Sequence, residues 1–168
     1  MRTRRILRLL AITLLVSIGS GATAAGEPGI GELSQLDRQW MAGQRALLED
    51  LARRHFGRGF NGEPDNDLPL LQQLLDRRLV REDQTRELQA MGVILGDLLA
   101  ADLDLTWVVY RDDLGRSRAL RDGDTDNYLF PITMISRRRE AGNRKPVAEI
   151  YAGARAIIIE SRPAAPFQ

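Results

Sequence analysis

Hydrophobic residues recur every three or four positions in three stretches between residues 35 and 103, a spacing that predicts amphipathic helices. The first helix is expected over about 35–55. Ser34 and Asp37 match a capping box at its start, because the hydroxyl and the carboxylate can each accept a backbone N–H of the first turn. Gly57 suits its end, since glycine adopts the left-handed conformation without steric cost.

Two further helices are predicted before residue 104. Asp67 is the expected cap of the second helix, which is short and ends near Leu79. The third helix is expected over about 83–103, where leucine and methionine side chains follow one another in steps of three, four and seven.

The third helix carries two glycines, Gly92 and Gly96, inside its hydrophobic pattern. Glycine in a helix interior costs about 1 kcal/mol relative to alanine. Each glycine is therefore expected to allow close packing that offsets this cost. Four positions apart, the two glycines share one face and allow another backbone to approach closely. The strand that carries Trp107 is the expected neighbour, and a ligand contact is the alternative.

After the third helix the pattern changes to alternation of apolar and polar residues, which predicts strands. Three antiparallel strands are expected over 105–110, 116–120 and 128–130, separated by turns rich in aspartate and glycine. A helix is expected to begin at Pro131. Residues 147–161 form a last element, for which a helix is favoured over a strand.

The order of these elements defines the predicted fold class as α+β. N-terminal helices and a long glycine-containing helix precede a small antiparallel sheet with flanking helices, which differs from the alternation of strands and helices in α/β folds. A single domain over residues 34–162 accounts for all of them. Residues 25–33, rich in glycine, are expected to be a flexible leader, and residues 163–168 a tail.

The first 24 residues have the order of regions found in a secretory signal peptide. Four arginines and no acids stand among the first eight residues, an apolar run follows over 9–18, and Ala22-Thr23-Ala24 fits a cleavage site. A membrane-spanning helix needs about 20 apolar residues, so this run favours cleavage over an uncleaved anchor. The expected destination is the periplasm, with the extracellular space as the alternative, and no membrane span is expected after cleavage.

Cleavage changes the charge of the chain. The full sequence has 24 basic and 23 acidic residues, and removal of residues 1–24 takes four arginines and no acids, which leaves a net charge of −3. A nucleic-acid-binding protein is expected to be basic on its working surface, so the mature chain argues against nucleic acid as a partner.

The residues that usually carry enzyme chemistry are few. The chain has no cysteine and one histidine, His55, and no serine lies in a nucleophile motif. The acidic turn Asp122–Asn127 lacks the full ligand set of a calcium loop, so a solvated turn is favoured there. No metal, cofactor or catalytic site is therefore expected. A small periplasmic hydrolase that uses Asp97, Asp102 or Asp112 is the alternative.

The densest basic cluster of the mature chain is the best candidate site. It consists of Arg137, Arg138, Arg139, Arg144 and Lys145. Arginines on a concave surface can bind a carboxylate or a phosphate through forked hydrogen bonds, whereas a solvated helix face would bind nothing. The sequence thus favours a non-catalytic module, inhibitor-like or immunity-like, that binds a protein partner or a small anionic ligand.

Three segments together resemble a known bacterial family. They are the glycine-containing stretch Leu88–Asp97, the strand Leu105–Val109 with its tryptophan, and the FPITMISRR stretch Phe130–Arg138. Over roughly residues 80–155 the chain is similar to the family called domain of unknown function 3806. The resemblance implies an α+β fold and brings no established activity, substrate or catalytic residue.

Overall fold

The computed structural model describes residues 29–162, in which five helices and a four-stranded antiparallel sheet confirm the α+β class. The predicted signal peptide and the tail lie outside the described residues. In chain order the elements are β1 (Gly29–Glu32), α1 (Gln35–Phe56), α2 (Pro64–Asp76), α3 (Thr85–Leu103), β2 (Thr106–Asp112), β3 (Gly115–Arg121), β4 (Tyr128–Leu129), α4 (Ile132–Glu140) and α5 (Val147–Ser161).

Helix α1 begins and ends as the sequence predicts. The Ser34 hydroxyl accepts the N–H of Asp37 at 3.2 Å, and the Asp37 carboxylate accepts the N–H of Ser34 at 2.9 Å, so the capping box is present. Gly57 closes the helix with φ at 67°, in the left-handed region. The local sequence is sufficient to predict both ends of α1 because every capping hydrogen bond lies within one turn of the helix end.

The predicted start of α2 is wrong. The helix begins at Pro64, whose missing N–H is one that the first turn of a helix leaves unbonded in any case. Asp67 is buried inside the helix and is not its cap. Its carboxylate instead accepts the N–H groups of Asn61 and Gly62 at 3.0 and 2.9 Å, and so orders the preceding loop.

The predicted end of α2 is also wrong, because the helix stops at Asp76 and not near Leu79. Arg78 adopts the left-handed conformation with φ at 56°, which reverses the chain. The N–H of Leu79 then bonds to the carbonyl of Leu74 at 2.9 Å. A single left-handed residue is therefore enough to end the helix where the hydrophobic pattern continues.

Helix α3 is the centre of the core. The sequence pattern indicates one apolar stripe, but every residue over 90–96 is buried. The reason is that α3 contacts α1, α2, α4 and α5 and also packs on the sheet through Trp107. A helix that is covered on all sides needs no polar face.

The two α3 glycines permit two different close contacts. A Cβ on Gly96 would lie 2.4 Å from the ring of Trp107, which confirms the expected neighbour. A Cβ on Gly92 would lie 2.4 Å from the carbonyl oxygen of Ile132, at the start of α4. Gly92 therefore allows the backbone at the start of α4 to approach, whereas Gly96 leaves room for the Trp107 side chain of β2.

The sheet has the order β1-β2-β3-β4, and its first strand contradicts part of the predicted flexible leader. Residues 29–32 pair antiparallel with β2, in a register that places Ile30 opposite Tyr110. This strand contains two glycines and no alternation of apolar and polar residues, so its local sequence does not indicate it. Its hydrogen bonds come from a strand about 80 residues further along the chain.

Residues 147–161 form a helix, as favoured by the sequence, although Ile157, Ile158 and Ile159 are β-branched. Only Ile158 of the three is buried, since consecutive residues on a helix point in different directions. Among residues 29–162, no helix combines the length and the apolar character that a bilayer span requires.

Candidate functional site

The structure divides the predicted basic cluster between two concave regions. Arg137 and Arg139 are both on α4, but two helical positions differ by roughly 200° around the axis, so the two side chains point apart. Arg137 is exposed and lines a groove of about 500 Å³. Arg139 is buried and lines a separate cavity of about 670 Å³, together with Arg144.

The remaining two basic residues are not part of the groove. The guanidinium of Arg138 donates to the carbonyl of Met134 at 2.6 Å, on its own helix. Lys145 is exposed, and its backbone carbonyl accepts a bond from Arg139. The five residues therefore do not form one site in the structure, although they lie close together in the sequence.

We call the first region the arginine groove. It is bounded by α1, the β2–β3 hairpin and the start of α4. The side chains that matter for its chemistry are Trp40, Tyr110, Arg116, Arg118, Phe130 and Arg137.

A buried carboxylate fixes two of these arginines. Asp37 is 1% exposed, and its oxygens accept hydrogen bonds from the guanidinium groups of Arg116 and Arg118, the latter at 2.9 Å. The Ser34 hydroxyl donates to the same carboxylate at 2.6 Å. The hydrogen bond from Arg116 is the main reason that the pKa of Asp37 lies well below its usual range, against the opposing effect of burial. Two guanidinium groups on one carboxylate leave a net positive charge.

The Arg118 guanidinium is also held from a second side. Its central carbon lies 4.2 Å from the centroid of the Trp40 ring, which is cation–π geometry. The side chain therefore lies between an indole face and a carboxylate. An arginine held in this way loses little further conformational entropy when a ligand binds.

Aromatic and aliphatic side chains extend the groove. The rings of Tyr110 and Phe130 pack edge to face with centroids 5.4 Å apart. Phe130 is 37% exposed, and Leu114, at the tip of the β2–β3 hairpin, is 96% exposed. Asp112 is the acidic residue of the lining, and its carboxylate accepts the N–H groups of Leu114 and Gly115 in the hairpin turn.

Sequence reasoning missed Asp37, Arg116, Arg118 and Trp40 as site residues. One signal was available, because Arg116 and Arg118 are two apart on a strand and so share a face. Their acidic partner could not be found in this way, since Asp37 precedes them by 79 and 81 residues.

Each carboxylate of the hydrolase alternative has a structural partner. Asp97 accepts two bonds from the guanidinium of Arg45, at 2.6 and 2.7 Å, and one from the indole N–H of Trp107 at 3.1 Å. Asp112 caps the hairpin turn, and Asp102 binds Arg155 at 2.7 Å. Carboxylates engaged in this way orient other side chains.

The first carboxylate of the acidic turn Asp122–Asn127 is paired with an arginine. Asp122 binds the guanidinium of Arg162 through both oxygens, at 2.6 and 2.9 Å, which lowers the pKa of the carboxyl. Among residues 29–162, no three histidine, aspartate or glutamate side chains are placed to hold a metal ion.

Tyr151 gives a prediction about alkaline pH. Burial, with a hydrogen bond of 2.9 Å to Asp102, raises its pKa from 10.0 to about 12. The neutral phenol is favoured in the folded state, so its contribution to stability is complete below pH 10 and is lost as the pH rises towards 12. Tyrosinate absorbance measured during an alkaline titration should show one tyrosine that ionises late, and this ionisation should be absent in Tyr151→Phe. The assignment would be contradicted if the substitution instead removed a tyrosine that ionises near the ordinary pKa.

Comparison with known proteins places the chain in a family. No curated protein sequence matches it significantly. The crystal structure of a protein from Bacteroides thetaiotaomicron VPI-5482 has a similar fold, with a TM-score of 0.69 at 16% identity over 78% of this chain and 48% of that one. This chain thus spans about half the length of that protein. The family model described as Domain of unknown function (DUF3806) matches residues 67–151, just over half of the chain. The chain therefore belongs to the DUF3806 family.

Proposed function

We propose that this chain is an exported, non-catalytic binding module whose arginine groove takes an acidic, extended segment of a partner protein. One observation carries the proposal. The buried carboxylate of Asp37 holds Arg116 and Arg118 in fixed positions on the same groove that Arg137 lines.

The charge of the groove favours an anionic partner. Three arginines line it, and their charges are opposed by Asp112, whose carboxylate accepts backbone N–H groups, and by the buried Asp37 that Arg116 and Arg118 share. One positive charge remains without an opposite charge. A guanidinium can donate two parallel hydrogen bonds to a carboxylate, and this geometry is specific as well as strong. An aspartate or glutamate side chain is therefore the simplest group that complements this surface.

The apolar part of the groove favours a peptide over a small ion. Phe130 and the hairpin-tip residue Leu114 are exposed beside the arginines. Protein interfaces concentrate their binding energy in tryptophan, tyrosine and arginine, and this groove contains all three residue types. A segment that alternates acidic and aromatic or aliphatic side chains would satisfy both parts.

The proposed export rests on the N-terminal sequence alone. Its basic region, apolar run and small residues are those of a cleavable signal. An exported module of this kind would meet its partner outside the cytoplasm. The mass of the protein isolated from its host tests this part directly, since removal of the signal shortens the chain to start near residue 25.

Arg137 provides the sharpest test of the groove, because it is exposed and its side chain donates no hydrogen bond to another described residue. The probe is a fluorescein-labelled peptide of sequence Asp-Glu-Tyr-Asp-Glu. We expect Arg137→Gln to weaken its binding about tenfold, the loss of roughly one charge-assisted hydrogen bond. Fluorescence anisotropy measures the affinity, which should also fall with added salt because the contacts are exposed.

Two controls separate the groove from general charge attraction. Arg58→Gln removes an exposed arginine in the loop after α1 that does not line the groove, and it should leave the affinity unchanged. The amide peptide Asn-Gln-Tyr-Asn-Gln has the same shape without the charges and should bind weakly. Equal binding of both peptides, or equal effects of both substitutions, would exclude the proposed recognition.

A further inference from the structure

The second cavity has a chemistry of its own, independent of the arginine groove. It lies between the loop that joins α2 to α3 and the end of α4, and has a volume of about 670 Å³. Sites for small organic ligands commonly have volumes of roughly 300–1,000 Å³. The residues that decide its character are Leu75, Asp76, Arg78, Val80, Arg139 and Arg144.

Arg139 is the unusual group in this cavity. The residue is 6% exposed, and its Nε–H donates no hydrogen bond within residues 29–162. One terminal nitrogen donates to the carbonyl of Lys145, at a long 3.3 Å. Burial lowers the pKa of this guanidinium. The Nε–H is thus a buried donor without an acceptor, which is costly and indicates that a further acceptor belongs near this guanidinium.

Most other charges that line the cavity are paired with one another. Arg144 binds Glu82 at 3.1 Å. A second pair lies within the loop that joins α2 to α3, where Arg81 and Asp83 have an N–O distance of 3.2 Å. Neither pair engages Arg139 by a hydrogen bond.

The charges that remain outside these pairs have a positive sum. They are Arg78, Arg139 and Asp76, the last of which accepts the side-chain amide of Gln72 at 2.8 Å. One further negative charge would therefore balance the cavity. Leu75 and Val80 supply apolar wall beside these groups, which suits the hydrocarbon part of an organic anion.

We propose that this cavity binds a small organic carboxylate, with the guanidinium of Arg139 as its buried donor and Arg78 as a second donor at the rim. The planar guanidinium matches the two oxygens of a carboxylate. The apolar wall distinguishes such a ligand from inorganic phosphate. The site would act alongside the peptide groove and does not depend on it.

Nuclear magnetic resonance of the arginine side chains tests the proposal on the intact folded protein. The probe is propionate, and the Nε–H signal of Arg139 reports its approach. We expect a saturable shift with propionate at millimolar concentration. Propionamide has nearly the same shape without the charge and should cause no shift. Inorganic phosphate should bind at least tenfold more weakly than propionate.

Two variants and two controls complete the test. Arg139→Lys keeps the charge but loses the fork, so the affinity for propionate should fall at least tenfold. Arg78→Gln changes an exposed residue and should weaken binding severalfold even if Arg139→Lys does not fold. Arg58→Gln should have no effect, and Arg137→Gln should weaken the acidic peptide but not propionate.

Several results would overturn the assignment of a carboxylate site. They are an Arg139 signal that does not respond to propionate, an equal response to propionamide, tighter binding of phosphate, or unchanged affinity in Arg78→Gln. Each of these would leave the peptide groove untouched, so failure of one proposal is distinguishable from failure of the other.

Discussion

Replacing Gly92 by alanine is expected to lower the free energy of unfolding by about 3 kcal/mol, the upper end for overpacking a core. The added Cβ would lie 2.4 Å from the carbonyl oxygen of Ile132 and 2.5 Å from that of Pro131. Both atoms belong to the backbone at the start of α4, so no side-chain rotation relieves the contact. Helix α4 would have to move away from α3, and the cost exceeds the gain of about 1 kcal/mol that alanine brings to a helix.

Urea unfolding followed by circular dichroism measures this effect. Gly153→Ala in α5 is the matched control, because the residue is exposed on a helix and an added methyl group would meet nothing within 4 Å. That substitution should raise the free energy of unfolding by roughly 0.5–1 kcal/mol. If Gly92→Ala proves as stable as Gly153→Ala, the close packing of α3 on α4 is not as described.

Replacing Asp37 by asparagine is expected to lower the free energy of unfolding by about 3 kcal/mol, as when one partner of a buried ion pair is removed. Asparagine keeps the size but not the charge, and it replaces one acceptor oxygen by an NH2 group. Arg116 and Arg118 therefore lose their shared negative charge, and one of them loses its acceptor. The side chains of these arginines are 39% and 22% exposed, and solvent therefore offsets part of the loss. Asp50→Asn on the same helix removes an exposed pair with Arg54 and should cost less than about 0.5 kcal/mol.

The pH dependence of this effect has a definite sign. The folded-state pKa of Asp37 is depressed, chiefly by the hydrogen bond from Arg116. Its contribution is therefore complete above the unfolded-state pKa of about 3.9 and is lost as the pH falls below that value. Unfolding measured at a series of pH values should show wild type and Asp37→Asn converging in acid. A difference that stays constant down to low pH, or that is no larger than for Asp50→Asn, would exclude this role.

The helices could be predicted well because their information is local. The hydrogen bonds of an α-helix join residues four apart, so period, caps and end signals occur in one window of sequence. The capping box of Ser34 and Asp37 and the left-handed Gly57 lie where the pattern places them. The start of α2 is predicted wrongly because an aspartate side chain can accept backbone N–H groups from either side of it along the chain. Asp67 orders the loop before the helix instead of its first turn.

The five basic residues do not lie together because arginines adjacent in sequence need not be adjacent in space. Arg137 and Arg139 lie on different faces of α4, so one lines the arginine groove and the other lines the second cavity. The same geometry could have indicated the separation beforehand. What faces each arginine could not be foreseen, since it depends on how α4 packs against α3 and the sheet.

The sequence by itself determined the α+β class, most element bounds, the glycine contact with Trp107 and the family resemblance, because each depends on local spacing or a continuous motif. The tertiary structure alone decided the pairing of β1 with β2, the burial of every residue over 90–96 in α3 and the meeting of Asp37 with Arg116 and Arg118. The strand pairing and the contacts of Asp37 join segments about 80 residues apart. Their geometry follows from the packing of whole elements around one core, which no window of local sequence contains.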